Sequence, residues 1–162
     1  MSNDSVGAQR AASTAASSKI TLMNPKDFTS AYLETVYTAG GISWVFSPVD
    51  TRLELYNGRR FGLMTAANPR SELCSDADNA GRNQRMQLEI AAQGWSFTES
   101  LGSSGNGDWR EHGFLIWDAA LEKLVTIGRE YGQNAICFGE AGCVALVWCD
   151  DGATEWFYAK AH

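Results

Sequence analysis

The chain has 162 residues, of which 44% are apolar and 20% are charged, and its formal net charge is −6. These values fit one globular domain with a sizeable core and exclude collagen, a coiled coil and a wholly disordered chain. No apolar run reaches the roughly 20 residues that a membrane-spanning helix needs, so we expect no membrane association. The acidic balance argues against nucleic acid as a partner, because such binding neutralises phosphates with Lys and Arg.

The first part of the chain, residues 1–22, is rich in Ala and Ser and is predicted to be a disordered tail. It lacks the apolar stretch of about 7–15 residues found in secretory signals, which favours a cytoplasmic location. The chain's cysteines show no C-x-x-C spacing and no paired histidines; they are Cys74, Cys137, Cys143 and Cys149. We therefore expect reduced, mostly buried thiols and no metal site.

Three helices are predicted in residues 23–162, which we interpret as a single domain. Each begins at a capping residue and ends at a glycine that can take a left-handed conformation. The predicted N-terminal caps are Asn24, Ser75 and Asp118. The corresponding stops are Gly40-Gly41, Gly94 and Gly132.

Seven or eight strands are predicted between and after these helices. Their patterns occupy residues 42–46, 52–56, 59–66, 95–101, 113–117, 135–138, 143–148 and 154–158. The dipeptide Asn57-Gly58 is typical of a two-residue hairpin turn between the second and third of them. Because tight turns join antiparallel strands, we expect an α+β fold with a mixed or mostly antiparallel sheet and about three helices packed on it. The stretch 143–148 is apolar throughout, which predicts a central strand covered on both faces.

Four stretches together resemble a known family. They are LMTAANPRS at residues 63–71, Asn79 with Arg82-Asn83 on the following helix, WREHGFLI at residues 109–116 and YGQNAI at residues 131–136. In this order and spacing they are similar to a bacterial family catalogued as domain of unknown function 3293, over about residues 42–140. The resemblance implies a small, standalone cytosolic protein, and it implies no particular activity.

Polar residues follow the predicted strand 59–66, at a junction where ligands often bind. The Asn68 amide and the Arg70 guanidinium are suited to holding a phosphate or a carboxylate. Pro69 between them fixes its own φ and keeps Asn68 extended. The alternative is that Asn68 satisfies backbone groups of its loop while Arg70 is solvated.

A polar face opens the second predicted helix. Asn79, Arg82 and Asn83 stand at positions i, i+3 and i+4 and therefore share one side of that helix. A face that enters a core is normally apolar throughout. The pattern therefore predicts either a cavity lined by these side chains or a structural polar network.

Glu111 is the candidate catalytic residue, because a partly buried carboxyl can do acid–base work near neutral pH. Its alternative role is a buried ion pair with Arg82 or Arg70. Trp109, in the neighbouring loop, is expected to contact a ligand. Gln133 joins the third helix to a strand, where its amide would either contact a ligand or cap the helix.

These residues predict a site for a small anionic or nucleotide-like ligand at strand–helix junctions, with enzymatic activity as one form of that function. The ligand-binding residues would be Asn68, Arg70, Asn79, Arg82, Asn83, Trp109, Glu111 and Gln133. No phosphate-loop, dinucleotide-binding or metalloprotease motif occurs, so we expect no cofactor. The alternative is an acidic interaction module without catalytic activity, an inhibitor or adaptor that binds a basic protein. Either function is compatible with a monomer or a homodimer.

Overall fold

Eight antiparallel strands form a closed barrel in a computed structural model of the protein, which describes residues 24–162. The strands are β1 (Val36–Ala39), β2 (Ile42–Ser47), β3 (Phe61–Met64), β4 (Phe97–Ser103), β5 (Arg110–Trp117), β6 (Ala135–Glu140), β7 (Cys143–Trp148) and β8 (Thr154–Ala161). Around the barrel they follow the order β1-β2-β8-β7-β6-β3-β5-β4, and β4 pairs with β1 to close it. The predicted tail, residues 1–22, lies outside the described residues.

Three α-helices accompany the barrel: α1 (Thr29–Glu34), α2 (Asp76–Ala92) and α3 (Leu121–Glu130). The predicted cap of α2 is confirmed, since Ser75 Oγ accepts a hydrogen bond from the Asp78 N–H at 3.1 Å. The predicted cap of α3 is wrong. Ala120 holds that position, and Asp118 instead accepts a hydrogen bond from Arg59 at 2.7 Å. None of the helices within residues 24–162 combines the length and the apolarity needed to cross a membrane.

The expected α+β fold is wrong, because the strands close on themselves instead of forming an open sheet with helices packed on it. The closing strand is β1, which occupies residues where we expected the first helix to end. The apolar spacing that begins at Phe28 runs through Val36 and hides this strand. The chain nevertheless becomes extended at Thr35, with φ −71° and ψ 136°. β1 then pairs with β2 on one side and with β4 on the other.

The hairpin expected at Asn57-Gly58 does not form. Leu55–Gly58 is a 3-10 turn in which Tyr56, Asn57 and Gly58 have φ values of 52°, 54° and 73°. The dipeptide adopts the left-handed backbone that it favours, but β3 pairs with β5 and β6 rather than with residues 52–56. The other strand patterns correspond to β2 through β8. The ends of β7 are as predicted, and each of the others differs at one end or both.

Two apolar layers explain why several strands are apolar on both faces. One layer fills the barrel and includes Leu63, Leu115 and Leu146. The other lies between the barrel wall and the helices, where Met86 of α2 and Leu124 of α3 are fully buried. Successive strand residues point to opposite faces, and residues 144–148 of β7 alternate between the two layers. The prediction of a strand covered on both faces is confirmed for β7.

The barrel has two ends of different character. The polar end carries the last residues of β3 and β4 and the first residues of β5 and β6, which are Met64, Ser103, Arg110 and Ala135. The aromatic end lies opposite and carries the turn at Gly40-Gly41, the 3-10 turn Leu55–Gly58 and the last residue of β5, Trp117. The stretches singled out in the sequence converge on the polar end.

Candidate functional site

Glu111 stands on β5 at the polar end, and its side chain is buried, with 8% of the residue exposed. Burial raises the pKa of Glu111 from 4.5 to about 7, and a hydrogen bond from Asn68 partly opposes this shift. That bond runs from Asn68 Nδ2 to Glu111 Oε2 over 3.0 Å. Within residues 24–162 no basic side chain forms an ion pair with Glu111. The carboxyl therefore changes its protonation state close to neutral pH.

Asn68 is the hub that orients this carboxyl. Its own side-chain oxygen accepts hydrogen bonds from Asn79 Nδ2 and from the Cys74 N–H, both at 3.0 Å. Its backbone N–H donates to Asn79 Oδ1 at 2.9 Å. Because the carboxamide oxygen is occupied in this way, the amide nitrogen points at Glu111. Asn79 thus acts on Glu111 through Asn68.

The turn that carries Asn68 has an unusual backbone. Asn68, Arg70 and Ser71 have φ values of 47°, 56° and 62°, a region that residues other than glycine seldom occupy. The expectation that Pro69 keeps Asn68 extended is therefore wrong, because Asn68 is left-handed. The loop after α3 supports the turn: the Arg70 N–H donates to the Gly132 carbonyl at 2.7 Å, and Asn134 Nδ2 donates to Ser71 Oγ at 2.9 Å. These two bonds hold the unusual backbone of the turn in place beside Glu111.

Asn83 joins three elements of the site. Its side-chain oxygen accepts from the Ala66 N–H at 2.9 Å, and its side-chain nitrogen donates to the His112 carbonyl at 3.0 Å. The first bond fixes α2 to the chain after β3, and the second fixes α2 to β5. Asn79 and Asn83 lie on one face of α2, as expected. Their hydrogen bonds fix the position of the chain segments that surround Glu111.

The remaining polar residues predicted for the site form hydrogen bonds with groups other than Glu111. Arg82 donates from Nε to the Ala66 carbonyl at 2.9 Å and from Nη2 to the Tyr131 carbonyl at 3.3 Å. Gln133 Nε2 donates to the Ala67 carbonyl at 3.0 Å. Arg70 forms a half-exposed ion pair with Asp150 at 3.1 Å. The buried ion pair of Glu111 with Arg82 or Arg70, which the sequence also suggested, is absent from the described residues.

A cleft of about 610 Å³ lies outside Glu111, between α2 and strands β4 and β5. Its walls carry the polar side chains of Asn68, Asp76, Asn79, Asn83, Gln84, Gln87, Glu99, Arg110, Glu111 and His112, with Ala67, Ala80, Gly113 and Phe114 between them. Three of these side chains are carboxylic acids, whereas Arg110 is the one Lys or Arg side chain among them. The cleft is therefore rich in hydrogen-bonding groups and poor in positive charge.

A second, smaller space of about 50 Å³ lies inside the barrel, and we call it the inner chamber. Glu111 and Gly113 line both the cleft and this chamber. Trp109 was expected to contact a ligand from the loop, but it is buried and lines the inner chamber. Gly102 lies directly opposite Glu111 in the register of β4 and β5 and also lines the chamber.

Sequence reasoning missed Ser100, Gly102 and Gly113, because nothing in their local pattern marks them. They enter the site through the pairing of β4 with β5, which sets Ser100 opposite Gly113 and Gly102 opposite Glu111. The signal that could have found them is the register of this hairpin, counted outward from its loop. Within residues 24–162 no group of three or more His, Cys, Asp or Glu side chains is arranged to hold a metal ion.

Comparison with known proteins defines a family of unknown function. Residues 64–136 match the model of a family described as protein of unknown function (DUF3293). The matched segment, residues 64–136, is similar to this family, which confirms the resemblance over a shorter stretch than the sequence motifs suggested. The match begins at the last residue of β3 and ends at the second residue of β6, so it spans α2 and Glu111. No curated protein and no solved structure matches the chain significantly.

Proposed function

We propose that this protein binds a small polar molecule in the cleft between α2 and strands β4 and β5, and that Glu111 exchanges a proton with it. One observation carries the proposal: a buried carboxyl whose pKa is raised to about 7 forms part of the wall of an open cleft. Buried acids of this kind are unusual outside functional sites, because burial of an unpaired carboxylate is costly. Acid–base chemistry on the ligand is the reaction such a group supports.

The charges around the cleft favour a neutral or amine-bearing ligand. The walls include three carboxylic acids, Asp76, Glu99 and Glu111, and among Lys and Arg side chains they include only Arg110. The hypothesis of an anionic or nucleotide-like ligand depended on Arg70 and Arg82, which bind Asp150 and backbone carbonyls. Amide and carboxylate groups recognise donors such as amines and amides by direct hydrogen bonds.

The protein's four cysteines are all free thiols, and Cys137 and Cys149 are buried. Reduced thiols suit a reducing compartment, so we propose the cytoplasm as the place where this ligand is met. The alternative of an acidic interaction module with a basic protein partner stays a prediction, as does the choice between monomer and homodimer.

A ligand-observed NMR screen tests the proposal. The library contains small amines, amides, nucleosides, organic phosphates and carboxylates, and it is screened above and below pH 7, the approximate pKa of Glu111. We expect amines and neutral polar compounds to bind, and Glu111→Gln to abolish the pH dependence of their binding. Glu122→Gln, at an exposed position on α3, is the control for the loss of one negative charge.

Two results would contradict the proposal. Phosphates or carboxylates that bind equally well to the wild type and to Glu111→Gln would favour the anionic ligand, bound away from Glu111. A screen without any binder in the cleft would favour the interaction module, and a pull-down with the intact protein would follow.

A further inference from the structure

The inner chamber has a different chemical character from the cleft. The cleft presents amides and carboxylates. Most of the surface that the chamber exposes is apolar and includes Leu63, Trp109 and Cys137, while Ser100 and Gln133 are among the polar residues that also line it. Burial raises the pKa of Cys137 to about 12, so its thiol stays protonated and acts as a small apolar group. The two spaces share Glu111 and Gly113, and a molecule in the cleft is therefore separated from the chamber by one acidic side chain.

We propose that the inner chamber is the second part of the ligand site and accepts a short alkyl group of the bound molecule. The inference rests on the proposed function and deepens it by naming the ligand class: a donor group, such as an amine, that binds Glu111 and bears a methyl or ethyl end. A space of about 50 Å³ holds about two carbon atoms, by comparison with an apolar cavity of about 150 Å³ that binds benzene.

Gly102 supplies the space opposite Glu111. A Cβ added at this position would lie 3.5 Å from Thr35 Cγ2 and 3.7 Å from the Trp109 ring, which are ordinary contact distances. Gly102 does not have a positive φ, so alanine is compatible with its backbone. Gly102→Ala therefore fills part of the chamber without straining the barrel. Because Gly102 lines the chamber and not the cleft, this variant tests the chamber alone.

A series of straight-chain amines tests the inference. Methylamine, ethylamine, propylamine and butylamine are titrated above pH 7, where Glu111 is ionised and the amines are protonated. The backbone amide NMR signals of Gly102 and Gly113 report binding. Each buried CH₂ is worth about a fourfold gain in affinity, so we expect ethylamine to bind about fourfold more tightly than methylamine. Propylamine and butylamine should gain nothing further, because the chamber is full.

Gly102→Ala should move the preferred amine one carbon shorter, so that methylamine binds at least as well as ethylamine. Gly81→Ala is the matched control, because a Cβ at Gly81, on α2, meets nothing within 4 Å. It should leave the chain-length preference unchanged. Circular dichroism confirms that both variants are folded, and the wild-type series decides the question if Gly102→Ala is not.

The outcomes separate this inference from the proposed function. Amine binding that requires Glu111 but is independent of chain length overturns the alkyl-binding chamber and leaves the proposed function in place. An affinity that keeps rising from methylamine to butylamine also overturns it. A butyl chain is too long for the chamber, so the added carbon atoms would be binding outside the barrel. Failure of every amine to bind overturns the inference, while the wider screen still decides the proposed function.

Discussion

The two ends of the barrel are closed by different chemistry. At the aromatic end, Tyr56 packs edge-on against Phe61 and Trp117, with ring centroids 5.0 and 5.2 Å apart. At the polar end, Asn68 and Asn79 exchange two hydrogen bonds beside Glu111. Aromatic packing closes a barrel at little electrostatic cost. A buried amide network around a carboxyl is stable only while every member keeps its partner.

The two ends also differ in how they use an asparagine with left-handed backbone. The aromatic end has left-handed backbone at Tyr56 and Asn57, yet the side chain of Asn57 is exposed and makes no hydrogen bond within the described residues. The polar end has the same backbone at Asn68, but there the side chain is buried and fully engaged. The two asparagines share a left-handed backbone, but only Asn68 also uses its side chain in a buried hydrogen-bond network. Replacing each of them separates the effect of the side chain from that of the backbone.

The largest expected effect comes from Asn68→Gly compared with Asn57→Gly. Glycine tolerates the positive φ at both positions, so backbone strain is the same in the two variants. At Asn68 the change leaves Glu111 Oε2, Asn79 Nδ2 and the Cys74 N–H without the Asn68 side chain as their partner, at about 1–3 kcal/mol each where they are buried. We expect a loss of about 4 kcal/mol in unfolding free energy for Asn68→Gly and under ~0.5 kcal/mol for Asn57→Gly. Equal urea midpoints would contradict the polar network.

The next effect is the pH dependence that Glu111 imposes. Because its pKa is raised from 4.5 to about 7, the folded protein holds this proton more tightly than the unfolded chain does. The contribution is therefore complete below pH 4.5 and is lost as the pH rises through 7, amounting to about 3 kcal/mol at most. In urea unfolding, the unfolding free energy of Glu111→Gln relative to that of the wild type should rise by this amount as the pH rises from 4.5 to above 7. A constant difference between the two proteins would show that Glu111 titrates normally.

At the aromatic end, a comparable test is Gly139→Ala. A Cβ on Gly139 would lie 2.0 Å from the Phe61 ring, which is buried inside the barrel and cannot swing away. We expect a loss of about 2 kcal/mol in unfolding free energy, which is typical of overpacking. Gly105→Ala is the control, because its Cβ meets nothing within 4 Å. Unchanged stability in Gly139→Ala would show that the aromatic packing is loose.

The smallest effect compares one arginine from each end. Arg82 donates to two backbone carbonyls, whereas Arg59 pairs with Asp118 and stacks over Trp117 at 4.5 Å on the surface. We expect Arg82→Ala to cost about 1.5 kcal/mol and Arg59→Ala about 0.5 kcal/mol, the latter shrinking in high salt. Thermal melts at two salt concentrations distinguish them. If the stability loss of Arg82→Ala depended on salt as strongly as that of Arg59→Ala, Arg82 would not act through hydrogen bonds to backbone carbonyls.

Local patterns predicted the elements better than their arrangement. The capping Ser75 and the apolar runs of β6 and β7 were recognised correctly, because these signals depend on neighbouring residues. The closed barrel was missed, because it depends on pairings such as Val36 with Ser103, which are remote in the sequence. Strand β1 was also concealed by a helical spacing that tertiary pairing overrides.

The candidate site was predicted in part for the same reason. Helical spacing placed Asn79 and Asn83 together, and the structure sets both of them in the wall of the cleft. Spacing cannot tell which partner an arginine or an amide selects, however. Arg82 and Gln133 lie close to the site but donate to the carbonyls of Ala66 and Ala67.

The closure of the barrel has a consequence for how the chain folds during synthesis. Strand β2 pairs with β8, so that Trp44 lies opposite Ala161, and most of the chain must leave the ribosome before this pairing can form. Until then β2 carries an unpaired edge that can attach to another chain. Contacts so distant in sequence slow folding, because loop closure must precede them. Assembly of the barrel is therefore expected only once β8 has left the ribosome, and the exposed edge of β2 favours misassembly until then.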